Sequence, residues 1–119
     1  MENIYLTIPT KANYLSSVRL FLTGLLSSLK FDIEEVEDIK MAVNEGLNIA
    51  LKLNCQDEIN LEIEISDEKL KIIITEICEN ELKKDEVLSL SSTIIECLVS
   101  ESYIQDKSLY LTINRKNYE

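Results

Sequence analysis

Ile59-Asn60-Leu61-Glu62-Ile63-Glu64-Ile65-Ser66-Asp67-Glu68-Lys69-Leu70-Lys71-Ile72-Ile73-Ile74 carries the clearest structural pattern in the chain. Ile59, Leu61, Ile63 and Ile65 alternate with Asn60, Glu62 and Glu64, so an extended backbone puts the hydrocarbon on one face and the acids on the other. Ser66-Asp67-Glu68-Lys69 interrupts the alternation with turn-forming polar residues. Leu70, Ile72 and Ile74 then resume it. The pattern predicts a β-hairpin with one apolar face, and that face must be covered by something else in the chain.

The cover is predicted upstream. Asp32 followed by Glu35 has the spacing of a capping box, and Glu34, Glu35, Glu37 and Asp38 crowd the first turns of a helix, where negative charge complements the helix dipole. Val36, Ile39, Val43, Leu47 and Ala50 recur at helical spacing, with Leu51 alongside. The acidic crowd is read as a helix start rather than a metal site, since solvated acidic faces are common. Earlier in the chain, Ile4, Leu6 and Ile8 alternate with Tyr5 and Thr7, which predicts a half-buried strand ended by Pro9. Thr10 is the expected N-cap of a helix running to about Leu29, with Leu15, Val18, Leu22, Leu25, Leu26 and Leu29 on its apolar stripe and Leu20 and Phe21 off it.

Downstream of the hairpin, Asn80 to Glu86 is polar and reads as an exposed connection. Leu90, Ile94, Ile95 and Leu98 mark a third helix, and Leu109, Leu111 and Ile113 a last strand. The expected order is β-α-α-β-β-α-β. No repeat, low-complexity stretch or change in composition divides the chain, so residues 1–119 are expected to form a single domain. The fold class is a two-layer α/β (α+β) sandwich, a mixed or antiparallel sheet with helices on one face.

Composition narrows the function. The 119 residues include 12 Lys+Arg against 22 Asp+Glu, a formal net charge of −10, and 45% are hydrophobic. A chain of this length buries roughly 65% of its unfolded surface, enough for a core without staples. The acidic balance argues against nucleic acid and anionic membranes as partners, because both are polyanions. With no His, imidazole chemistry and the commonest metal ligand are absent. Two glycines leave no room for a glycine-rich phosphate cradle. The start, Met1 to Pro9, lacks the charged n-region and apolar run of a signal peptide, and no segment approaches ~18 uninterrupted apolar residues, so a cytoplasmic location is expected. Cys55, Cys78 and Cys97 are odd in number and form no CxxC pair, and they are expected to be buried free thiols.

Three segments resemble the anti-sigma-factor serine kinases of the GHKL ATPase superfamily (Bergerat fold). Ile8-Pro9-Thr10-Lys11-Ala12-Asn13-Tyr14-Leu15 through Val18-Arg19-Leu20 is similar to the family's opening strand and first helix. Val36-Glu37-Asp38-Ile39-Lys40-Met41-Ala42-Val43-Asn44-Glu45-Gly46 resembles its "EDLKIAVSEA" stretch. Ile94-Ile95-Glu96-Cys97-Leu98-Val99-Ser100-Glu101 resembles its "LIRxLMDE" helix. The resemblance spans nearly the whole chain. It implies the GHKL fold, ATP and Mg²⁺ as cofactors where the site works, and a sigma factor or an antagonist protein as partner. A homodimer is likewise implied.

The departures fall on the nucleotide site. In the family, a helical Glu proposed as the base for the substrate serine is followed four positions later by an Asn that ligates Mg²⁺. Glu45 matches the acid, but the Asn position is Ile49, a hydrocarbon with no lone pair for a hard cation. Asn48 is one residue early, and ~100° of helical rotation turns it off the face that Glu45 and Ile49 share. The family's Asp-x-Gly-x-Gly adenine motif aligns with Glu76-Ile77-Cys78-Glu79-Asn80, where Glu76 can still accept a hydrogen bond but both glycines are replaced. Its phosphate-binding Gly-x-Gly at the start of the last helix aligns with Ser89-Leu90-Ser91. The connection Glu79 to Leu88 is short for an ATP lid and contains no Gly.

Phosphoryl transfer depends on positioning and on charge neutralisation by Mg²⁺ and backbone donors, so losing those parts together favours a non-catalytic regulator that keeps the fold as a protein-binding scaffold. Glu45 then reads as a partly exposed acid at a helix–sheet edge, with Glu76, Ser89 and Ser91 as remnants of nucleotide binding and no metal or cofactor expected. Arg19, Leu20 and Phe21 on the first helix are the partner-binding candidates, because Arg and aromatic side chains favour interfaces. One alternative is an active serine/threonine kinase that phosphorylates an antagonist protein. Another is a ligand sensor whose former ATP cavity, lined by Ile49 and Cys78, takes a small apolar molecule.

Overall fold

In the computed structural model, which describes residues 1–78 and 86–115 and only the backbone of 86–89, the hairpin stands as read. β2 (Glu58–Ile65) and β3 (Lys69–Thr75) pair antiparallel, with Ile65 opposite Leu70 and Ile63 opposite Ile72. The turn closes through Ser66, whose N–H donates to the Lys69 carbonyl at 3.0 Å. β1 (Glu2–Pro9) flanks β2, and β5 (Ser108–Asn114) flanks β3. The sheet order is β1-β2-β3-β5-β4, and every neighbouring pair is antiparallel.

That order contains a strand the alternation pattern does not reveal. β4 (Glu101–Gln105) forms a hairpin with β5 and gives the sheet its far edge, so the element order is β-α-α-β-β-α-β-β. Only Asp106 and Lys107 separate the two strands, at φ 52° and 63°. Two consecutive left-handed residues make a primed hairpin turn, for which Asn-Gly or Asp-Gly is the usual signal. An Asp-Lys pair in that conformation gives no such signal. The third helix, α3 (Glu86–Leu98), therefore ends before Ser100 and Glu101, and Glu101 starts a strand rather than finishing a helix.

One face of the sheet is covered by α1 (Leu15–Ser28), α2 (Ile33–Leu53) and α3. Ile59, Leu61, Ile63 and Ile65 of β2 and Leu70, Ile72 and Ile74 of β3 join Leu22, Leu26, Ile39 and Leu47 in a single apolar cluster. α2 starts on the expected capping box: Asp32 Oδ1 accepts from the Glu35 N–H at 2.8 Å, and Glu35 Oε1 accepts from the Asp32 N–H at 3.1 Å. The stripe Val36, Ile39, Val43, Leu47 and Ala50 is buried, but so are Ala42, Gly46 and Ile49, which widens the apolar face. α2 has hydrocarbon on two sides because it lies between α1 and α3 while resting on the sheet.

The start of α1 differs from expectation. A 3-10 turn (Ala12–Tyr14) precedes it, and Thr10 caps nothing. Instead its N–H donates to the Asp57 carbonyl and its hydroxyl to the Gln56 carbonyl, at 2.8 and 2.7 Å, tying the end of β1 to the chain entering β2. At the other end of the sheet Arg115 fastens three segments. Its N–H donates to the Glu68 carbonyl, its guanidinium donates to the carbonyls of Ser66 and Leu29, and it lies 5.9 Å from the Phe31 ring centroid.

The two glycines sit in contrasting places. A Cβ at Gly46 would come within 2.6 Å of Ile74 Cδ1 and 2.9 Å of Leu109 Cδ2, whereas one at Gly24 would meet nothing within 4 Å. Alanine gains about 1 kcal/mol of helix propensity over glycine at either position. At Gly46 overpacking opposes that gain by roughly 1–3 kcal/mol. Urea melts are therefore expected to show Gly24→Ala stabilised by up to about 1 kcal/mol and Gly46→Ala destabilised by about 1 kcal/mol.

Candidate functional site

The residues aligned with a nucleotide site lie around α2 and the end of β3. Glu45 is half-buried on α2, one turn before Ile49, which has 0% exposure. Ile49 belongs to the same buried cluster as Ile74, Ile77, Ile95 and Leu109. It therefore presents no accessible atom to a ligand, and its side chain carries no oxygen for a cation.

Glu76 follows the last residue of β3 at φ 69°. An L-residue in that left-handed region is uncommon and costs roughly 1–2 kcal/mol. Here it interrupts the strand alternation. Thr75 lies on the face away from the helices, and the reversal at Glu76 allows Ile77 to be fully buried, with its N–H donating to the Lys107 carbonyl at 2.9 Å. The burial of Ile77 and this hydrogen bond offset the strain.

Glu76 lines an open cavity of about 570 Å³ with Gln56, Asp57, Glu58 and Asn60. Glu45 is not among the described residues that line this cavity. Three of the five lining residues are carboxylic acids, which makes the cavity unfavourable for a polyphosphate. Ser89 and Ser91 fall fourth and sixth in α3, beyond the helix start expected of a phosphate loop. An N–H at position 91 has an intrahelical acceptor available, unlike those of the first turn. The side chain of Ser89, together with Glu79, Asn80 and most of the lid-like connection, lies outside the described residues.

The cysteine expectation is corrected. Cys55 and Cys78 are half-buried and joined as a disulfide, with Cα atoms 6.5 Å apart, and Cys97 is a free thiol exposed on α3. Their separation of 23 residues conceals the pairing in sequence. It follows from topology: α2 stops at Asn54 in a left-handed C-cap, which turns Cys55 back toward the end of β3, where the reversal at Glu76 brings Cys78.

The partner-binding candidates are on the surface. Arg19 is exposed and its Nη1 donates to Asn44 Oδ1 at 2.9 Å, linking α1 to α2 next to Glu45. Leu20 is 76% exposed and Phe21 36%. Met41, one turn before Asn44 on α2, is 54% exposed. Asn44 and Met41 were not singled out from sequence, and an Arg–Asn contact between helices leaves no spacing pattern that would have found them.

A serine-protein kinase RsbW of Staphylococcus aureus (strain bovine RF122 / ET3-1) is 33% identical to the chain over 78 residues, covering 61% of this chain and 49% of the relative. RsbW of strain MRSA252 gives the same figures. The chain is similar in sequence to the RsbW serine-protein kinases. It spans about half the length of the curated relatives it matches. The crystal structure of the RsbU and RsbW domains of Rv1364c from Mycobacterium tuberculosis matches this chain with a TM-score of 0.71, at 17% identity, over 98% of this chain and 32% of that one. The latter likeness establishes the fold. No protein-family model matches the chain.

An amide placed at position 49 would be buried among the hydrocarbon side chains of the core. Ile49→Asn is expected to lose about 3 kcal/mol or more of stability. Ile49→Val should cost only about 1 kcal/mol. Chemical-denaturation midpoints of the two variants check the contrast.

Proposed function

We propose that the chain is an anti-sigma-like regulator that works by protein–protein contact and has no efficient kinase activity. The observation that carries this reading is the complete burial of Ile49 at the position aligned with the family's magnesium-ligating Asn. The residues present do not fit a magnesium-bound triphosphate. One aligned position is sealed hydrocarbon, Cys78 at a glycine position is covalently tied to Cys55, and the cavity beside Glu76 is acidic. Magnesium coordination and close backbone approach supply most of the catalysis in phosphoryl transfer, so Glu45 alone has nothing to act on.

A sigma factor or an antagonist protein is the partner class that the RsbW likeness favours. A formal charge of −10 suits a partner with a basic face, since complementary charge speeds encounter. Arg19, Leu20 and Phe21 are consecutive on α1, and the Arg and the aromatic ring are of the side-chain types that interfaces favour. The serine-protein kinases that the chain resembles support the alternative of an active kinase acting on an antagonist protein.

Titrating purified sigma factors of the same cell against the chain, without nucleotide, tests the proposal. One of them is expected to bind, with Leu20→Asp and Arg19→Ala each weakening the complex by about tenfold or more while leaving the melting temperature close to that of the parent. Mg-ATP should leave the affinity unchanged. Transfer of phosphate from Mg-ATP to an antagonist protein, abolished by Glu45→Ala, would establish the kinase instead.

A further inference from the structure

We propose that Cys55 and Cys78 form a reversible thiol–disulfide clamp that fixes the acidic cavity between the start of β2 and the end of β3. The bond links the chain just after α2 to the chain just after β3. The next three residues after Cys55 are Gln56, Asp57 and Glu58, and two before Cys78 is Glu76. These same residues, with Asn60, line the cavity of about 570 Å³. The disulfide therefore joins the two walls of one cavity at their backbones.

Both sulfurs belong to half-buried residues beside an open cavity, within reach of a small thiol. Reduction needs a dithiol of low molecular weight. One of its thiolates attacks a cystine sulfur, the Cys55–Cys78 bond breaks, and the departing sulfur takes up a proton. The reductant's second thiol then displaces the remaining protein thiol from the mixed disulfide, leaving two protein thiols and one cyclic disulfide. A small-molecule disulfide such as oxidised glutathione reverses the exchange, re-forming the protein bond while it is itself reduced to two thiols.

The bond opposes a specific tendency of the chain. Glu76 is held at φ 69°, and the restraints on the chain around it include the burial of Ile77, its hydrogen bond to Lys107, the Asn60 N–H that donates to Thr75 Oγ1 at 2.9 Å, and the bond at Cys78. Removing the covalent restraint frees the ends of a 23-residue separation spanning the whole β2–β3 hairpin. Loop-closure entropy of that size predicts a melting temperature lower by roughly 10 °C, and faster local opening around Ile77.

The test uses the full chain equilibrated in oxidised glutathione and then in dithiothreitol. Alkylation and intact-mass analysis of the native protein should count one reactive thiol in the first condition and three in the second, returning to one on reoxidation. The reduced protein should melt roughly 10 °C lower, and the Ile77 amide should exchange about tenfold faster or more. Cys97→Ser should retain the full shift, whereas the double variant Cys55→Ser/Cys78→Ser should melt at the reduced temperature in both conditions. Three reactive thiols in the oxidised condition would overturn the proposal. So would a bond that dithiothreitol reaches only after denaturation, or a reduction that moves neither the melting temperature nor the Ile77 exchange. None of these readouts depends on nucleotide or partner, so the clamp and the regulatory reading stand or fall separately.

Discussion

The close seating of α2 on the sheet is the constraint that organises the molecule. Ala42, Gly46, Ile49 and Ala50 give the helix a face of mostly small residues, and Gly46 lies where any side chain would meet Ile74 and Leu109. Two strands are thus held against one helix by the absence of a Cβ. The approach lets Ile49 enter the common cluster with Ile74, Ile77, Ile95 and Leu109. In a densely packed interior the same volume cannot hold both these side chains and a bound ligand. The helix that carries Glu45 is consequently a packing element on its inner side.

Much of this architecture can be read from residue order. The alternation in Ile59–Ile65 and Leu70–Ile74 places the hairpin, the Asp32/Glu35 box starts α2 where expected, and the stripes of α1 and α2 identify most of the buried positions. What escaped the reading has physical causes. β4 is five residues long and ends in a left-handed Asp106-Lys107 turn without glycine. Thr10 has the chemistry of an N-cap, but backbone carbonyls at Gln56 and Asp57 compete for its donors. The disulfide depends on two chain reversals, at Asn54 and Glu76, whose left-handed conformations occur in residues with a Cβ.

The site was legible unevenly. The family resemblance marks Glu45, Ile49 and Glu76 as the positions to inspect, and the fold shows Ile49 sealed, Glu45 half-buried and Glu76 lining an acidic cavity. Spacing along one helix places Glu45 relative to Ile49 but says nothing of the wall opposite, which the β3 terminus supplies. The Arg19–Asn44 bond between α1 and α2 depends likewise on how two helices pack. The likeness to RsbW extends to the fold, and the side chains on that scaffold decide which of its surfaces are available.

Isothermal titration calorimetry of the chain with ATP, in the presence and absence of Mg²⁺, examines the sealed helix–sheet contact most directly. No saturable heat is predicted at nucleotide concentrations up to about 1 mM, because Ile49 is fully buried and its side chain carries no oxygen for the metal. Saturable binding well below that concentration, dependent on Mg²⁺ and lost in Glu76→Ala, would show that α2 and the sheet part to admit the nucleotide, contradicting the packing described above.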